Sequence, residues 1–544
     1  MPPPETKNPE TCGRELRALS EKMGFVTEAE LAEAANLDRA TVSKLFNGKT
    51  RKPNFTTAIK LVEALAAKSG ESPEDILGQM VAIYQGSKKE YSDEDIEFLK
   101  RCFLNCACPQ PTDASRREDL TRMPEVPAFF GRREELNQLE QSIVGKRCRL
   151  VGLQGLGGIG KTALAVKLVE GVKEQFDYLL WRSLRNAPPL AELLAEILAK
   201  MALFLGEETE LPDTVEKLLS QLMNYLHRSR CLLVLDEAEG IMQSGELAGN
   251  YREGYRNYRE LFRRVGEERH QGCLLVVSQE LPRDIAIADW ARSLSLQGLP
   301  EEDAAQILGT RQELSDRDYW GQLIELYRGN PLALKIVSQI VVDSFKGRVA
   351  QYIIQNTLVL GQNLRNLLET QIDRLSDLEE EIMYWLAIAR YPVSLPELQA
   401  LLPVSKSEAI EAIDSLGRRS LLENTANSDR THFALQPVAM KYITEELIQD
   451  ICKEIASSYK TKTTDEFYRL GSLRLVSDTD QNLKKLQLRL ILTPIRDKLG
   501  KRFKTESRLT AHLQHILTLL DKQPAREVGY SKNNIRCLLE VIKT

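Results

Sequence analysis

The feature that most constrains this chain is a glycine-rich loop at residues 155–162, which reads Gly-Leu-Gly-Gly-Ile-Gly-Lys-Thr. The eight residues fit the pattern G-x-x-x-x-G-K-[ST] in full. An apolar segment, CRLVGLQ, precedes the loop, and a helical pattern, ALAVKLVEGV, follows it. Because the motif requires this order of strand, loop and helix, a phosphate-binding loop is favoured over a glycine-rich turn that binds nothing.

The residue types in this loop explain its chemistry. Glycines let the backbone curl so that successive N–H groups point at phosphate oxygens, and the following helix N-terminus adds a positive dipole. Lys161 is expected to neutralise the β- and γ-phosphates, and the Thr162 hydroxyl to bind Mg²⁺. The sequence therefore predicts a site for ATP or ADP with Mg²⁺. The loop residues predicted to bind nucleotide are Gly155, Gly157, Gly158, Ile159, Gly160, Lys161, Thr162 and Ala163.

A second, acidic element supports the loop. CLLVLDE, at residues 231–237, is an apolar strand that ends in two acids, and ligands of parallel sheets bind at the carboxyl ends of the strands. Asp236 is expected to hold Mg²⁺ directly or through water, and Glu237 to orient or polarise the attacking water. Apolar strands that end in an acid are common, so this prediction depends on the complete loop upstream. The candidate catalytic residues are Lys161, Asp236 and Glu237, and the candidate metal ligands are Thr162 and Asp236.

The hydropathy pattern divides the chain into helical and mixed regions. Residues 10–70 have apolar residues at helical spacing, and residues 71–125 contain a further helical stretch and a linker from Pro109 to Pro127. From about residue 126 short apolar runs alternate with longer amphipathic stretches, which indicates a parallel sheet with crossover helices. After residue 345 strand signals almost vanish and helical periods continue. The predicted fold class is multidomain α and α/β.

Composition limits the class of protein. With 544 residues, of which 42% are hydrophobic and 28% charged, the chain is expected to form several globular domains. The net charge of −5 means that any binding to nucleic acid requires a local basic patch. The N-terminus lacks a signal-peptide pattern and no run of about 18 apolar residues occurs, which predicts a cytoplasmic protein without a membrane partner. Cys102, Cys106 and Cys108 lack a fourth ligand at zinc-like spacing, so we interpret them as helix-face cysteines.

These elements resemble the NB-ARC class of STAND ATPases over about residues 126–445. The segment VPAFFGRREELNQLE is similar to the one that opens the family's domain and packs on adenine, with Gly131, Arg132 and Glu134 in its Gly-Arg-x-Glu core. LQGLPEEDAAQIL and YRGNPLALKIV resemble the helical subdomain that follows, in which Pro331 would pack against the base. The resemblance implies a nucleotide-binding domain at 126–298, a helical ARC subdomain at 299–370, a winged-helix subdomain at 371–450 and a helical C-terminal region at 451–544.

Two positions depart from the family's pattern. The family usually carries an arginine after the Ser/Thr of its sensor strand, whereas this chain has Ser278-Gln279. Gln279 donates hydrogen bonds but does not neutralise the γ-phosphate. Where the family commonly places a histidine against the ADP β-phosphate, this chain has Leu435-Gln436-Pro437. The resemblance therefore implies that Gln279 and Gln436 contact nucleotide and that sensing and hydrolysis are weak.

Two further tracts are similar to the cyanobacterial-type members of this class. The tract GNYREGYRNYRELFRRVGEERHQGCLLVVSQE resembles their insertion before the sensor strand, and a Tyr/Arg-rich amphipathic helix is the simpler interpretation. The segments LKKLQLRLILTPIRDKL and VGYSKNNIRCLLEVIKT resemble the region that leads into a large repeat sensor domain in those proteins. Because the sequence ends at Thr544, a lost sensor, a sensor on another polypeptide and a truncated gene are all open explanations.

Residues 27–67 resemble a Cro/repressor-type helix-turn-helix. Thr27 is expected to cap the first helix, and the recognition helix is expected at Arg39–Phe46. The stretch 39–52 contains five basic residues and no acid, which is typical of a surface that contacts phosphates. The alternative is a helical adaptor whose lysines form a solvated face. The candidate DNA-binding residues are Arg39, Thr41, Ser43, Lys44, Asn47, Lys49, Arg51 and Lys52.

Three functions are consistent with these predictions. The first is a STAND-type signal-transducing switch, a slow ATPase in which nucleotide exchange changes conformation or oligomeric state. Its ATP state would self-associate and act on an unidentified effector or sensor partner, regulating transcription or a defence or stress response. The second is a DNA-binding transcriptional regulator whose ATPase core only sets the oligomeric state. The third is a scaffold that binds ADP permanently.

Overall fold

The structure is a computed structural model, and the chain forms two compact units, Met1–Arg116 and Arg117–Thr544. The predicted DNA-binding residues Lys49, Arg51 and Lys52 and the three clustered cysteines lie outside the described residues. The residues that the structure describes are 9–35, 37, 39–47, 55–84, 118–207, 211–355, 358–402, 404–427, 430–478 and 480–543.

In the described part of the first unit, five helices pack around one apolar core. The Thr27 hydroxyl caps the second helix by accepting a hydrogen bond from the Glu30 N–H at 3.2 Å, as the sequence predicts. The recognition helix has its predicted bounds, and Val42 and Leu45 bury its inner face. The helices are α1 (Pro9–Lys22), α2 (Glu28–Ala34), α3 (Arg39–Phe46), α4 (Phe55–Ser69) and α5 (Pro73–Tyr84).

A six-stranded parallel sheet lies at the centre of the second unit, in the order β1-β3-β4-β5-β2-β6. The central strands are apolar up to their carboxyl ends because helices cover both faces of the sheet, and the polar residues Gln154, Asp236 and Ser278 stand only at those ends. This order brings the carboxyl ends of β2, β5 and β4 together at one edge. The strands are β1 (Glu118–Asp119), β2 (Leu150–Gly155), β3 (Tyr178–Ser183), β4 (Cys231–Asp236), β5 (Cys273–Ser278) and β6 (Arg292–Leu296).

The edge strand β1 lies inside the segment that the sequence predicts to be a linker. The Arg182 guanidinium donates to the Asp119 carboxylate at 2.7 Å, and both side chains are buried. The linker prediction is therefore wrong for residues 118–119. A two-residue strand shows no alternation, and its ion-pair partner lies 63 residues further along the chain, so hydropathy alone does not reveal it.

Helices of the nucleotide-binding region pack on both faces of this sheet. The helix predicted in the Tyr/Arg-rich tract covers only residues 258–267, where Tyr258, Leu261 and Phe262 are buried. Short π and 3-10 turns lie at Gln141–Gly145, Lys173–Gln175 and Ala238–Ile241. The helices are α6 (Arg133–Glu140), α7 (Lys161–Val172), α8 (Leu190–Leu205), α9 (Val215–Arg228), α10 (Tyr258–Glu267) and α11 (Arg283–Ala286).

A helical layer and a small antiparallel sheet follow. The layer consists of α12 (Glu301–Gly309), α13 (Trp320–Leu326), α14 (Pro331–Phe345), α15 (Val349–Ile354) and α16 (Gln362–Ile372), with a 3-10 turn at Arg317–Tyr319. The next helices are α17 (Asp377–Ala389), α18 (Leu395–Leu401) and α19 (Lys406–Arg418). The antiparallel sheet, in the order β7-β9-β8, consists of β7 (Val393–Ser394), β8 (Leu422–Asn427) and β9 (Arg430–Leu435).

These antiparallel strands agree with the winged-helix resemblance but not with the hydropathy pattern, which shows almost no strand signal after residue 345. Strands β8 and β9 read LENTAN and RTHFAL, with one β-branched residue each. Strand propensity mostly reflects packing on a half-buried surface, and polar hairpin strands therefore give little signal.

Helices form the rest of the second unit. The apolar core runs continuously from one face of the large sheet through the helical layer into these helices. Among the described helices, none combines the length and the apolar character needed to span a bilayer. They are α20 (Pro437–Thr461), α21 (Arg469–Ser472), α22 (Gln481–Gln487), α23 (Thr493–Phe503), α24 (Glu506–Leu520), α25 (Ala525–Val528) and α26 (Ser531–Lys543), with a π-helical turn at Leu488–Leu492.

Candidate nucleotide-binding site

The glycine-rich loop connects the end of β2 to the start of α7. Gly158 and Gly160 have φ angles of +75° and +101°, a region that glycine enters without steric cost. The Ile159 N–H donates to the Leu156 carbonyl at 3.2 Å. The other backbone N–H groups between residues 157 and 163 have no acceptor within the part of the chain that the structure describes. Such a run of N–H groups at a helix N-terminus is suited to bind an anion.

Three donors from outside the loop hold its carbonyl groups. Asn330 Nδ2 donates to the Gly157 carbonyl at 3.2 Å, and the Leu332 N–H donates to the Gly158 carbonyl at 3.3 Å. Arg132 Nη2 donates to the Ile159 carbonyl at 3.2 Å. These contacts fix the orientation of three successive peptide groups, which stabilises the curled loop. Sequence reasoning missed Asn330, whose side chain also caps α14.

Close packing explains why the loop needs glycine at its tip. A Cβ atom at Gly157 would lie 2.5 Å from Leu367 Cδ2, and one at Gly158 would lie 2.8 Å from Leu332 Cβ. These two leucines belong to α16 and α14, which therefore pack directly on the loop. A larger residue at either position would push the helical layer away from the loop.

Lys161 is the cation of the site, and the charges of Glu239 and Asp236 act on it. Its ammonium donates to the carbonyls of Gly155 at 2.8 Å and Leu156 at 3.1 Å. Burial lowers the pKa of Lys161, and the charge of Glu239, followed by that of Asp236, opposes this shift. The ammonium is thus held on the loop, with two carboxylates in electrostatic range.

The two predicted Mg²⁺ ligands are adjacent. The Thr162 hydroxyl donates to Asp236 Oδ1 at 3.2 Å, and the Glu237 N–H donates to the same oxygen at 2.9 Å. Burial raises the pKa of Asp236 to about 6, although these two hydrogen bonds lower it. A hydroxyl beside a carboxylate is an oxygen pair of the kind that Mg²⁺ binds. The residues present therefore fit a magnesium nucleotide.

The two glutamates that follow Asp236 have different partners. Glu237 has a left-handed φ of +58°, and its carboxylate accepts from the Ser183 hydroxyl at 2.7 Å. Glu239 Oε2 instead accepts from the Ser278 hydroxyl and from the Gln279 N–H, at 3.0 Å each. The structure thus brings Glu239, which sequence reasoning missed, to the end of β5. In the sequence, the position of Glu239 two residues after Glu237 is the signal that could have placed it near the site.

A pocket of about 160 Å³ lies beside the loop. Pro331 lines it together with Gly158, Ile159, Gly160 and Ala163, four of the predicted loop ligands. Its other walls are mainly apolar, as in a pocket for a planar base. Those apolar side chains are Ala128, Phe129, Phe130, Leu299, Ile307 and Leu332.

The two glutamines predicted to contact nucleotide do not line this pocket. Gln279 lies at the end of β5, next to Glu239. Gln436 precedes α20 and lines a separate cavity of about 1190 Å³ between the parallel sheet, the helical layer and the antiparallel sheet with its helices α18 and α19. The loop reaches that cavity through Leu156 and Ile159. Contact of either glutamine with nucleotide therefore stays a prediction.

Four charged side chains, three of them buried and Arg374 partly buried, connect the end of β5 to α17 and to the end of α19, and we call them the buried charge cluster: Glu280, Arg374, Glu379 and Arg419. Glu280 pairs with Arg374, and its Oε2 lies 3.2 Å from Arg419 Nε. Arg419 Nε also lies 3.4 Å from Glu379 Oε1. Glu280 and Arg419 are each only 2% exposed. Because Glu280 follows Gln279 directly, the cluster ties the end of β5 to α17 and to the C-terminal end of α19.

The described DNA-binding candidates all lie on α3 or directly after it. Arg39, Lys44 and Asn47 are exposed, and Thr41 and Ser43 are partly buried. Asn47 Nδ2 donates to the Ser43 hydroxyl at 3.2 Å. The helix therefore presents two cations to solvent, and an amide follows at its C-terminal end, a distribution that is also found in nucleic-acid-binding helices.

Comparison with known proteins identifies two domains. Residues 132–243 match the NB-ARC domain, and residues 26–71 match a helix-turn-helix. An uncharacterized WD repeat-containing protein of Nostoc sp. is 32% identical over 97% of this chain and 43% of its own length. Disease resistance protein RPV1 of Vitis rotundifolia is 25% identical over 36% of this chain and 13% of its own length. The chain thus spans less than half the length of these relatives.

A solved structure has a weaker similarity. The STAND protein with a tetratricopeptide repeat sensor from Pyrococcus horikoshii has a TM-score of 0.32 and 15% identity, over 80% of this chain and 60% of its own. The NB-ARC match contains the loop, strand β4 and both of the acids that end CLLVLDE. The family and fold class expected from the sequence are confirmed. The chain thus carries an NB-ARC domain that contains the phosphate-binding loop, and an N-terminal helix-turn-helix.

Proposed function

We propose that the chain is a signal-transducing switch that binds ADP or ATP with Mg²⁺ at residues 155–162. The observation that carries this proposal is the meeting of the loop N–H groups, Lys161 and the Thr162–Asp236 pair at one sheet edge. Bound Mg²⁺, held by Thr162 and Asp236, would act as a Lewis acid on the terminal phosphates. Lys161 neutralises the phosphates, and Pro331 packs on the base. Equilibrium binding of labelled ADP and ATP to the full chain tests this, and failure to bind either nucleotide would reject it.

The contacts around the loop support a switch rather than a simple binding site. A ligand shifts a conformational equilibrium only when its affinity differs between the two states. Asn330 and Leu332 reach the loop from α14, so a bound nucleotide contacts the sheet and the helical layer together. We infer that ADP favours the closed arrangement and that ATP favours an open one that self-associates and reaches an effector. The bodies that move relative to one another would be the proposed domains, residues 126–298, 299–370 and 371–450. Residues 451–544 form the C-terminal region that follows them.

We predict that hydrolysis is slow and that Gln279→Arg accelerates it or sharpens the preference for ATP. A glutamine does not stabilise the charge that develops on the transferred phosphoryl group, whereas a guanidinium does. Wild-type turnover should fall below the enzyme median of about 10 per second. Single-turnover hydrolysis measures the rate and equilibrium titration with ADP and a nonhydrolysable ATP analogue measures the preference, with Gln306→Arg on the exposed side of α12 as the control. A fast wild-type protein, or a Gln279→Arg variant that behaves as wild type, would contradict this prediction.

A second function, DNA binding by the N-terminal unit, is favoured by the exposed Arg39, Lys44 and Asn47 of the recognition helix region. These side chains lie where a helix-turn-helix protein contacts phosphates and base edges. In this proposal the nucleotide state regulates transcription by changing how the N-terminal units associate. In the alternative, the ATPase core only sets the oligomeric state. The chain would then bind DNA in the same way, and its DNA binding would not change with the bound nucleotide.

The full chain is therefore expected to bind duplex DNA with an affinity that falls steeply as salt rises. Removal of Lys49, Arg51 and Lys52 together should weaken binding to every sequence and flatten the salt slope by about three units at most. Asn47→Ala should instead change sequence preference, by about 1–3 kcal/mol for a good base contact. Fluorescence anisotropy over a salt series measures both, with Lys22→Gln on α1 as the control. Lack of salt-dependent binding at low ionic strength would identify the domain as a protein adaptor.

A further inference from the structure

We propose that Glu239 occupies the γ-phosphate-sensing donors of this site and thereby lowers its affinity for ATP relative to ADP. The inference rests on the proposed nucleotide-binding function. The end of β5 offers two donors, the Ser278 hydroxyl and the Gln279 N–H. Both donate to one oxygen, Glu239 Oε2, at 3.0 Å each. The donors that follow the sensor strand are thus already satisfied by a carboxylate of the same chain.

Glu239 lies at the phosphate end of the site. Strands β4 and β5 are paired, with Leu235 opposite Val276, so the turn after β4 carries Glu239 beside the end of β5. Its charge acts on Lys161 and on Asp236, the two groups proposed to hold the terminal phosphates and Mg²⁺. Glu239 therefore lies close to the position proposed for the γ-phosphate, the group that ATP has and ADP lacks.

The chemistry of this carboxylate resembles that of a terminal phosphate oxygen. Both are anionic oxygens that accept short, charge-assisted hydrogen bonds from O–H and N–H donors. The same two donors cannot fully satisfy both anions, and two anions in close proximity repel each other. Because ADP lacks the γ-phosphate, only ATP competes with Glu239. ATP binding therefore requires that Glu239 be released from Ser278 and Gln279.

This competition also couples nucleotide exchange to the rest of the molecule. The residue after Gln279 is Glu280, a member of the buried charge cluster that connects β5 to α17 and α19. Displacement of Glu239 changes the partner of the Gln279 N–H, one peptide group away from that cluster. The Glu239 carboxylate therefore keeps its two hydrogen bonds at the end of β5 both without ligand and with ADP bound, and only ATP requires that they break.

The test is the ratio of ATP to ADP affinity in the full chain after Glu239→Gln, which keeps the shape of the side chain and removes its charge. Equilibrium titrations with Mg-ADP and with a nonhydrolysable ATP analogue give both dissociation constants. We expect affinity for the ATP analogue to rise about tenfold, the size of one charge-assisted contact, while affinity for ADP changes less than about twofold. Glu239→Ala, which frees both donors, should act in the same direction. Glu246→Gln, at an exposed site on the same connection, is the matched control.

A purely structural Glu239 predicts a different pattern. Both variants would then weaken the two nucleotides equally and lower the unfolding midpoint of the nucleotide-free chain. That pattern, or an unchanged affinity ratio in a wild-type chain that binds nucleotide, overturns the inference alone. Failure of the wild-type chain to bind either nucleotide overturns the proposed function, and the inference with it.

Discussion

Lys161→Ala should weaken the binding of both ADP and ATP by roughly a hundredfold while the chain still folds. A hydrogen bond to a charged group contributes about 1.5–3 kcal/mol, and each 1.4 kcal/mol corresponds to about tenfold in affinity. In the structure the ammonium is already held on the loop by the Gly155 and Leu156 carbonyls, so little ordering is needed when phosphate binds. The substitution therefore removes the contact between the Lys161 ammonium and phosphate and leaves the apolar core intact.

Equilibrium titration with labelled ADP and ATP measures the effect, and circular dichroism checks the fold. Lys167→Ala is the matched control, because Lys167 is a lysine of the same helix that pairs with Glu170 on the solvent side. The control should bind both nucleotides as wild type does. Unchanged affinity in Lys161→Ala would mean that residues 155–162 are not the binding loop.

Arg419→Met should lower the free energy of unfolding of the second unit by about 3–5 kcal/mol, as expected when one member of a buried ion cluster is removed. Methionine roughly preserves the apolar length of the side chain. Glu280 and Glu379 would then remain buried without the guanidinium that lies between them. The carbonyls of Arg374 and Glu246, which accept hydrogen bonds from Arg419, would also lose their donor.

Urea unfolding followed by tryptophan fluorescence measures this loss, because all four tryptophans lie in the second unit. Arg263→Met is the control: Arg263 pairs with Glu260 and Glu267 on α10 but is 46% exposed. Exposed pairs contribute at most about 1 kcal/mol, so this variant should unfold close to wild type. Equal, small effects of the two substitutions would show that the cluster is hydrated and does not hold α17 and α19 against the end of β5.

The sequence predicts the loop because all of its chemistry is contiguous. Eight consecutive residues supply the backbone curl, the ammonium and the hydroxyl, and the flanking hydropathy supplies the strand and the helix. The two helices of the helix-turn-helix are predictable for the same reason, since the Thr27 cap of α2 and the apolar spacing of α3 are local signals. Strands β8 and β9 are not, because a polar hairpin has little hydropathy signal and only the family resemblance implied it.

The supporting residues of the site could not be predicted because their contacts depend on the tertiary arrangement. Asn330 meets Gly157 across 173 residues, and Gln279 meets Glu239 across 40. The first contact requires α14 to pack on the loop, and the second requires β5 to lie beside β4; hydropathy encodes neither arrangement. A buried ion cluster is equally invisible, because its arginines and glutamates have the composition of a solvated surface.

The contacts of Asn330 and Leu332 with the loop have a thermodynamic consequence. If α14 must stay on the loop for nucleotide to be held tightly, then docking of α14 and nucleotide affinity are linked, and each must change the other by the same factor. A partner that pulls α14 away would therefore release nucleotide without touching the phosphate site. Conversely, a higher nucleotide concentration would stabilise the docked position of α14 and raise the free energy that such a partner must supply to move it.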